Sequence, residues 1–246
     1  MFFLYQIILS LLVLISPILI IFRIYKNKED KIRFKEKFGI PSKKRTKGKL
    51  VWFHGASVGE IMSIIPIIEN YEKDNSVNQI LVTSSTLSSS KVLKKFRFKK
   101  TIHQFYPIDH FFCTTKFLNH WQPNLAIFIE SEIWPCMFKK LKEKKIALVL
   151  LNARITRKTF LRWSRFKNFS KEVFNDIKIS YPQNLETKFF LKKLKEKKIK
   201  TIGNLKFAEN DIEEKNKLSL KFKNRKIWIA SSTHPNEEFF CAKTHI

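Results

Sequence analysis

From residue 50 onward the chain alternates between short apolar, β-rich runs and longer helical stretches, and this alternation constrains the fold more than any other feature. The apolar runs lie at 50–54, 79–83, 124–129, 146–150, 177–181 and 200–202; helical patterns occupy 60–73, 88–98, 110–121, 134–144 and 184–197. Strands alternating with helices predict βα units and a doubly wound, Rossmann-like parallel sheet of the α/β class. In such sheets ligands bind beyond the carboxyl ends of the strands, so residues just after a strand carry the most weight. Hydrophobic residues make up 44% of the 246, enough for a real core, which excludes global disorder.

Ahead of this region, Phe2 to Phe22 is almost wholly apolar, interrupted by Tyr5, Gln6, Ser10, Ser16 and Pro17. That is about the ~20 residues a helix needs to cross a ~30 Å hydrocarbon core. Arg23, Lys26, Lys28, Lys31, Arg33, Lys35 and Lys37 follow, and the positive-inside rule then places the rest of the chain in the cytoplasm. A cleaved signal peptide would want basic residues before the apolar stretch and a small-residue site after it, and neither is present. Residues 1–22 are therefore expected to form an uncleaved membrane anchor, spanning the bilayer or dipping into one leaflet at Pro17. Residues 23–49 read as a basic juxtamembrane segment. Each Lys or Arg near an anionic membrane surface adds ~1 kcal/mol of attraction, so the segment suits either that surface or a solvated tether.

The formal net charge of +27 favours polyanionic partners in general, but Lys, Ile, Phe and Asn are all abundant and the charge alone selects none. No nucleic-acid module, Walker A or GxGxxG fingerprint is present, and no nucleic-acid partner is expected. Cys113, Cys136 and Cys241 form no metal-spaced cluster, so reduced thiols and no metal site are expected.

Five loops carry chemistry-bearing residues. His54-Gly55-Ala56-Ser57-Val58-Gly59-Glu60 follows the first strand, and its small residues permit a tight turn into a helix. Glu60 at that helix start is suited either to accept a proton from a substrate hydroxyl or to favour the helix dipole. Glu130-Ser131-Glu132-Ile133-Trp134-Pro135 puts two carboxylates at another strand end, which a cationic substrate, a metal, an Arg or Lys partner, or a helix cap at Glu132 would explain; no third acidic or His ligand lies nearby, which argues against the metal. In Asn152-Ala153-Arg154-Ile155-Thr156, Arg154 suits a phosphate or carboxylate, or a pairing with Glu130 or Glu132. Lys206, in Gly203-Asn204-Leu205-Lys206-Phe207, is suited to stabilise developing negative charge or to remain solvated. Ala230-Ser231-Ser232-Thr233-His234-Pro235-Asn236-Glu237-Glu238 has the pattern of a helix N-terminus able to bind an anion.

Taken together, HGASVGE, ESEIWP, NARIT, GNLKF and ASSTHPNEE, in this order, resemble the 3-deoxy-D-manno-octulosonic acid (Kdo) transferase family, as do the basic-flanked apolar segment and the stretch around Gln183. The resemblance implies a two-domain GT-B glycosyltransferase with CMP-Kdo as donor and a lipid A precursor as acceptor, needing no metal or cofactor. By resemblance, Glu60 is the general base of an inverting transfer, with Glu130 and Lys206 stabilising the transition state. Ser57, Gly59, Arg154, Ser232, Thr233 and His234 are the expected substrate contacts. Residues 50–215 would form the acceptor domain and 216–246 the start of the nucleotide-sugar domain. Relatives continue further, so a truncated reading frame that holds the acceptor side, lacks most donor contacts and is inactive alone is expected. The stretch TSSTLSSS departs from the family, with Leu87 and Ser89 where relatives carry Pro and Gly. The contrasting expectation is a non-catalytic, membrane-tethered polyanion binder on a decayed glycosyltransferase domain.

Overall fold

The computed structural model describes residues 1–194, 198–205, 229–231, 233–234 and 236–245. Two compact units divide the chain, Met1–Glu209 and Asn210–Ile246. In the first unit the strands are β1 (Leu50–His54), β2 (Gln79–Ser84), β3 (Thr101–Phe105), β4 (Leu125–Ile129), β5 (Ala147–Ala153) and β6 (Ile179–Pro182). The helices are α1 (Phe2–Tyr25), α2 (Val58–Lys73), α3 (Leu87–Leu93), α4 (Phe111–Trp121), α5 (Pro135–Glu143), α6 (Arg157–Ser164), α7 (Lys167–Asn175) and α8 (Leu185–Lys193). The described part of the second unit carries α9 (Glu237–His245).

The six strands form one sheet in the order β3-β2-β1-β4-β5-β6, and every pairing is parallel. This is the α/β fold the alternation predicts. Strand order reverses between β1 and β4, which opens the ligand crevice of such sheets at their carboxyl ends.

Period-2 alternation divides the strand residues between two cores. Leu50, Trp52, Leu81, Phe128 and Leu150 face Phe117 and Trp121 of α4 and Phe138 and Leu141 of α5. Val51, Phe53, Ile80, Val82, Ile127 and Ile129 face Ile61, Ile64 and Ile68 of α2. Because both faces are covered, β1 and β2 are buried along their whole length, and they read as continuous apolar runs for that reason.

Four elements differ from expectation. The run at 200–202 forms no strand; the chain there makes one isolated bridge, Ser180 to Ile199. Strand β3 and helices α6 and α7 were not foreseen. In β3 the polar His103 and Gln104 mask the strand pattern, yet Gln104 is fully buried and accepts a 2.9 Å bond from the Trp121 indole N–H. His103 Nε2 lies 2.8 Å from the Ser84 hydroxyl.

Residues 23–49 are not a tether throughout. A 3₁₀ turn at Arg33–Phe38 seals the β3 edge: Glu36, fully buried, accepts from Arg33 (2.8 and 2.9 Å), from the Phe105 backbone N–H (2.6 Å) and from Ser42. The turn ends at Gly39 with φ +75°, where a Cβ would lie 2.2 Å from the Cys113 carbonyl oxygen. Only glycine fits there.

Candidate active site

At the end of β1 the chain turns through Gly55-Ala56 into α2. A Cβ on Gly55 would approach the Glu60 Cβ to 3.1 Å, so the missing side chain is what lets the helix start against the strand end. Ser57 caps α2, its hydroxyl accepting from the Glu60 N–H at 3.3 Å while donating to Glu60 Oε1 at 3.0 Å. Glu60 Oε2 in turn accepts a 2.6 Å bond from the Ala56 N–H. The result is a variant of the capping box, with the return bond made to the residue before the cap, and it fixes the carboxylate's direction. One bond to each oxygen leaves acceptor capacity on both, since an ionised carboxylate offers about four lone-pair sites. Glu60 is half-buried, and its pKa is raised above the usual carboxylate value, by burial first, then by the charge of Glu132 and, less, of Glu130. Ser57 and Gly59 are exposed, with open space where a Gly59 side chain would be.

Across the switch point, β4 is followed directly by Glu130, which is buried and adopts φ +52°. A left-handed conformation is uncommon for glutamate. Here it is clamped from both sides: the Glu130 N–H donates to the Leu151 carbonyl (3.0 Å), and the Glu130 carbonyl accepts from the Arg154 N–H (3.2 Å). Asn152, at the neighbouring end of β5, is also left-handed (φ +51°), and its Oδ1 accepts from the Leu205 N–H at 3.2 Å. That bond ties the Gly203–Leu205 stretch to the edge of the sheet.

Glu132 sits at the centre of a network that sequence reading missed. Its Oε2 lies 3.1 Å from His54 Nε2 and accepts a 2.9 Å bond from the Trp134 indole N–H. His54 is fully buried, with Nδ1 3.0 Å from the Thr83 hydroxyl and its ring stacked 3.8 Å from that of Tyr106. A histidine closing an otherwise apolar strand was the one available signal. Asp109 was missed as well. It is buried between the Cys136 and Met137 N–H groups at the start of α5 (2.9 and 2.8 Å), and burial pushes its carboxyl up to about 7.

The remaining expected site residues divide into three groups. Arg154 is exposed, and no ion pair joins its guanidinium to Glu130 or Glu132 among the described residues. Its backbone serves the site instead, the carbonyl accepting from the Ser131 hydroxyl at 2.8 Å. Lys206 and Ser232 lie outside the described residues. In the second unit, the Thr233 hydroxyl donates to Glu238 (3.2 Å) and the His234 N–H to Glu237 (2.7 Å), so the expected helix start is present as α9.

The 3-deoxy-D-manno-octulosonic-acid transferase (kdotransferase) family model matches residues 32–209. The chain is 37% identical over 242 residues to the 3-deoxy-D-manno-octulosonic acid transferase of Rickettsia bellii, covering 96% of this chain and 57% of that protein. It is 40% identical over 196 residues to the Rickettsia felis enzyme of the same name, covering 77% of this chain and 41% of that one. A probable mitochondrial 3-deoxy-D-manno-octulosonic acid transferase of Arabidopsis thaliana is 34% identical over 96% of the chain. The chain thus spans about half the length of the curated relatives it matches. With the model matched across the sheet and its strand-end turns, the chain belongs to the 3-deoxy-D-manno-octulosonic-acid (Kdo) transferase family.

Proposed function

We propose that the whole protein transfers Kdo from CMP-Kdo to a lipid A precursor at the cytoplasmic side of a bacterial inner membrane, with this sheet as the acceptor-binding half of a GT-B enzyme. The observation that carries the reading is Glu60: a carboxylate at the switch point, fixed by its capping box, half-exposed and made more basic by burial and by Glu132. A base works best when its pKa approaches the operating pH, and the upward shift moves Glu60 that way. In the proposed inverting step, Glu60 takes the proton of an acceptor-sugar hydroxyl while that oxygen bonds to the anomeric carbon of Kdo. The bond from that carbon to the CMP phosphate oxygen breaks, and CMP leaves with the electron pair.

Glu130 and Lys206 are proposed, from family resemblance, to stabilise charge in that transition state, with Ser57, Gly59, Arg154, Ser232, Thr233 and His234 contacting substrates. The basic surface supports the partner assignment, because a phosphorylated acceptor and an anionic donor are both drawn to positive charge. The apolar helix α1 supports a membrane location. Glu60→Gln keeps an acceptor oxygen for the cap and removes the base. It is expected to lower Kdo transfer by the whole protein by at least ~10²-fold. Near-normal transfer by that variant would remove Glu60 from the mechanism.

A further inference from the structure

Resting on the membrane reading above, we propose that α1 does not cross the bilayer but lies in the plane of one leaflet, docked along the domain, so that the strand-end site faces the lipid surface. One stripe of the helix is turned to the protein along its whole length. Phe2 packs on Phe169 of α7 with ring centroids 6.1 Å apart. The Tyr5 hydroxyl donates to Asp109 (2.7 Å), Gln6 Oε1 accepts from the Phe111 N–H (3.3 Å), and the Ser10 hydroxyl lies 3.2 Å from His110 Nε2. Farther along, Ser16 and Ile20 are buried, and Arg23 pairs with the buried Glu29 at 3.2 Å. Spacings of three and four residues define a single helical face.

If α1 spanned the membrane, its first turns would lie on the far side of the hydrocarbon, and the groups docked to them would have to follow. Asp109, the lysines of α5 and the polar N-terminus of α4 would then enter the bilayer core. Burying charged groups there is expensive. In-plane insertion removes the conflict. The opposite face of α1 is apolar and exposed throughout, as at Leu4, Leu11 and Ile18. Phe111 and Phe112, exposed at the start of α4, extend it.

The rim is cationic. Lys139 lies over the Phe2 ring (4.1 Å), Lys140 over Phe111 (3.8 Å) and Lys116 over Phe112 (4.4 Å), and Arg23 lies in the last turn of the helix, with Lys26 and Lys28 just beyond it. An apolar face edged by lysines matches an anionic leaflet. The orientation matters for the site. Asp109 joins Tyr5 of α1 to the first turn of α5, the helix that follows directly from the Glu130–Trp134 turn. The start of the membrane-facing helix and the proposed catalytic turn therefore lie at the same, carboxyl edge of the sheet.

The test is the insertion depth of spin labels at Leu4→Cys, Leu11→Cys and Ile18→Cys, one at a time. The background is the full chain with Cys241→Ser, since Cys113 and Cys136 are buried. The vesicles contain phosphatidylglycerol and phosphatidylethanolamine. In-plane docking predicts one shared depth, ~5–10 Å into the leaflet, at all three positions. A spanning helix rises ~10 Å over seven residues, so it would set Leu11 about that much deeper than both neighbours and overturn the proposal while leaving membrane attachment intact. Labels that meet no lipid, or meet only a second copy of the chain, would overturn both. As a second measurement, Phe111→Ser with Phe112→Ser is expected to weaken vesicle binding about 10-fold or more. Unchanged binding would contradict the extended apolar face.

Discussion

At the end of β1, Glu60 is held by a backbone N–H and a serine hydroxyl and stays half-exposed. At the end of β4, Glu132 is held by an imidazole and an indole, and Glu130 is buried in a left-handed turn. The two turns meet where the strand order reverses. In the first, the hydrogen bonds set a direction and leave lone pairs for a substrate. In the second, the side chains of Glu132, His54, Thr83 and Trp134 largely satisfy one another, and the product is a rigid, negatively charged wall. The wall's charge acts back on the first turn by raising the Glu60 pKa. Of these neighbouring carboxylates Glu60 stays partly exposed, and the charges of Glu132 and Glu130 raise its pKa.

The comparison can be broken most forcefully at His54. His54→Ala removes a fully buried ring, leaves a void beside Tyr106 and strips Glu132 of a partner. It should lower the unfolding free energy of the chain by ~3 kcal/mol, read from urea denaturation. A loss within a few tenths would show that the wall does not depend on this network. Ser57→Ala should cost about 1 kcal/mol, the usual worth of a helix cap, and reduce transfer far less than Glu60→Gln does. A transfer loss as large as that of Glu60→Gln would mean that orientation, and not basicity, is what the first turn supplies.

The smallest expected effect is also the most specific. Glu132→Gln removes a negative charge that raises the Glu60 pKa, so that pKa must fall. Because the proposed base acts ionised, the acid limb of kcat/KM for transfer should move to lower pH. A limb that stays in place, or moves to higher pH, would separate Glu132 from the tuning of Glu60.

Much of this arrangement was legible in the residues. The run at 50–54 is β1, and the small residues and Glu after it gave the tight turn and the carboxylate at the helix start, while the capping role of Ser57 came only with the structure. These are local signals, carried by neighbours in the chain. What stayed hidden depends on contacts made across the fold. Strand β3 is concealed by His103 and Gln104, whose polarity is answered by Arg33, Ser84 and Trp121 from distant segments. With β3 unread, Asp109 just beyond it had no reason to stand out. Glu36 looked like one more charge in a basic linker, and only its burial against the β3 edge gives it meaning. Lysine abundance blurred α6 and α7 in the same way, since a few apolar positions on a polar helix make a weak pattern.

Whether Glu60 is the base is decided by the pH dependence of kcat/KM for Kdo transfer by the whole protein, set beside that of Glu60→Gln. The account predicts an acid limb in the unaltered protein, and a variant slower by at least ~10²-fold at the plateau with that limb gone. A variant that keeps both the limb and a rate within a few-fold of the original would contradict it.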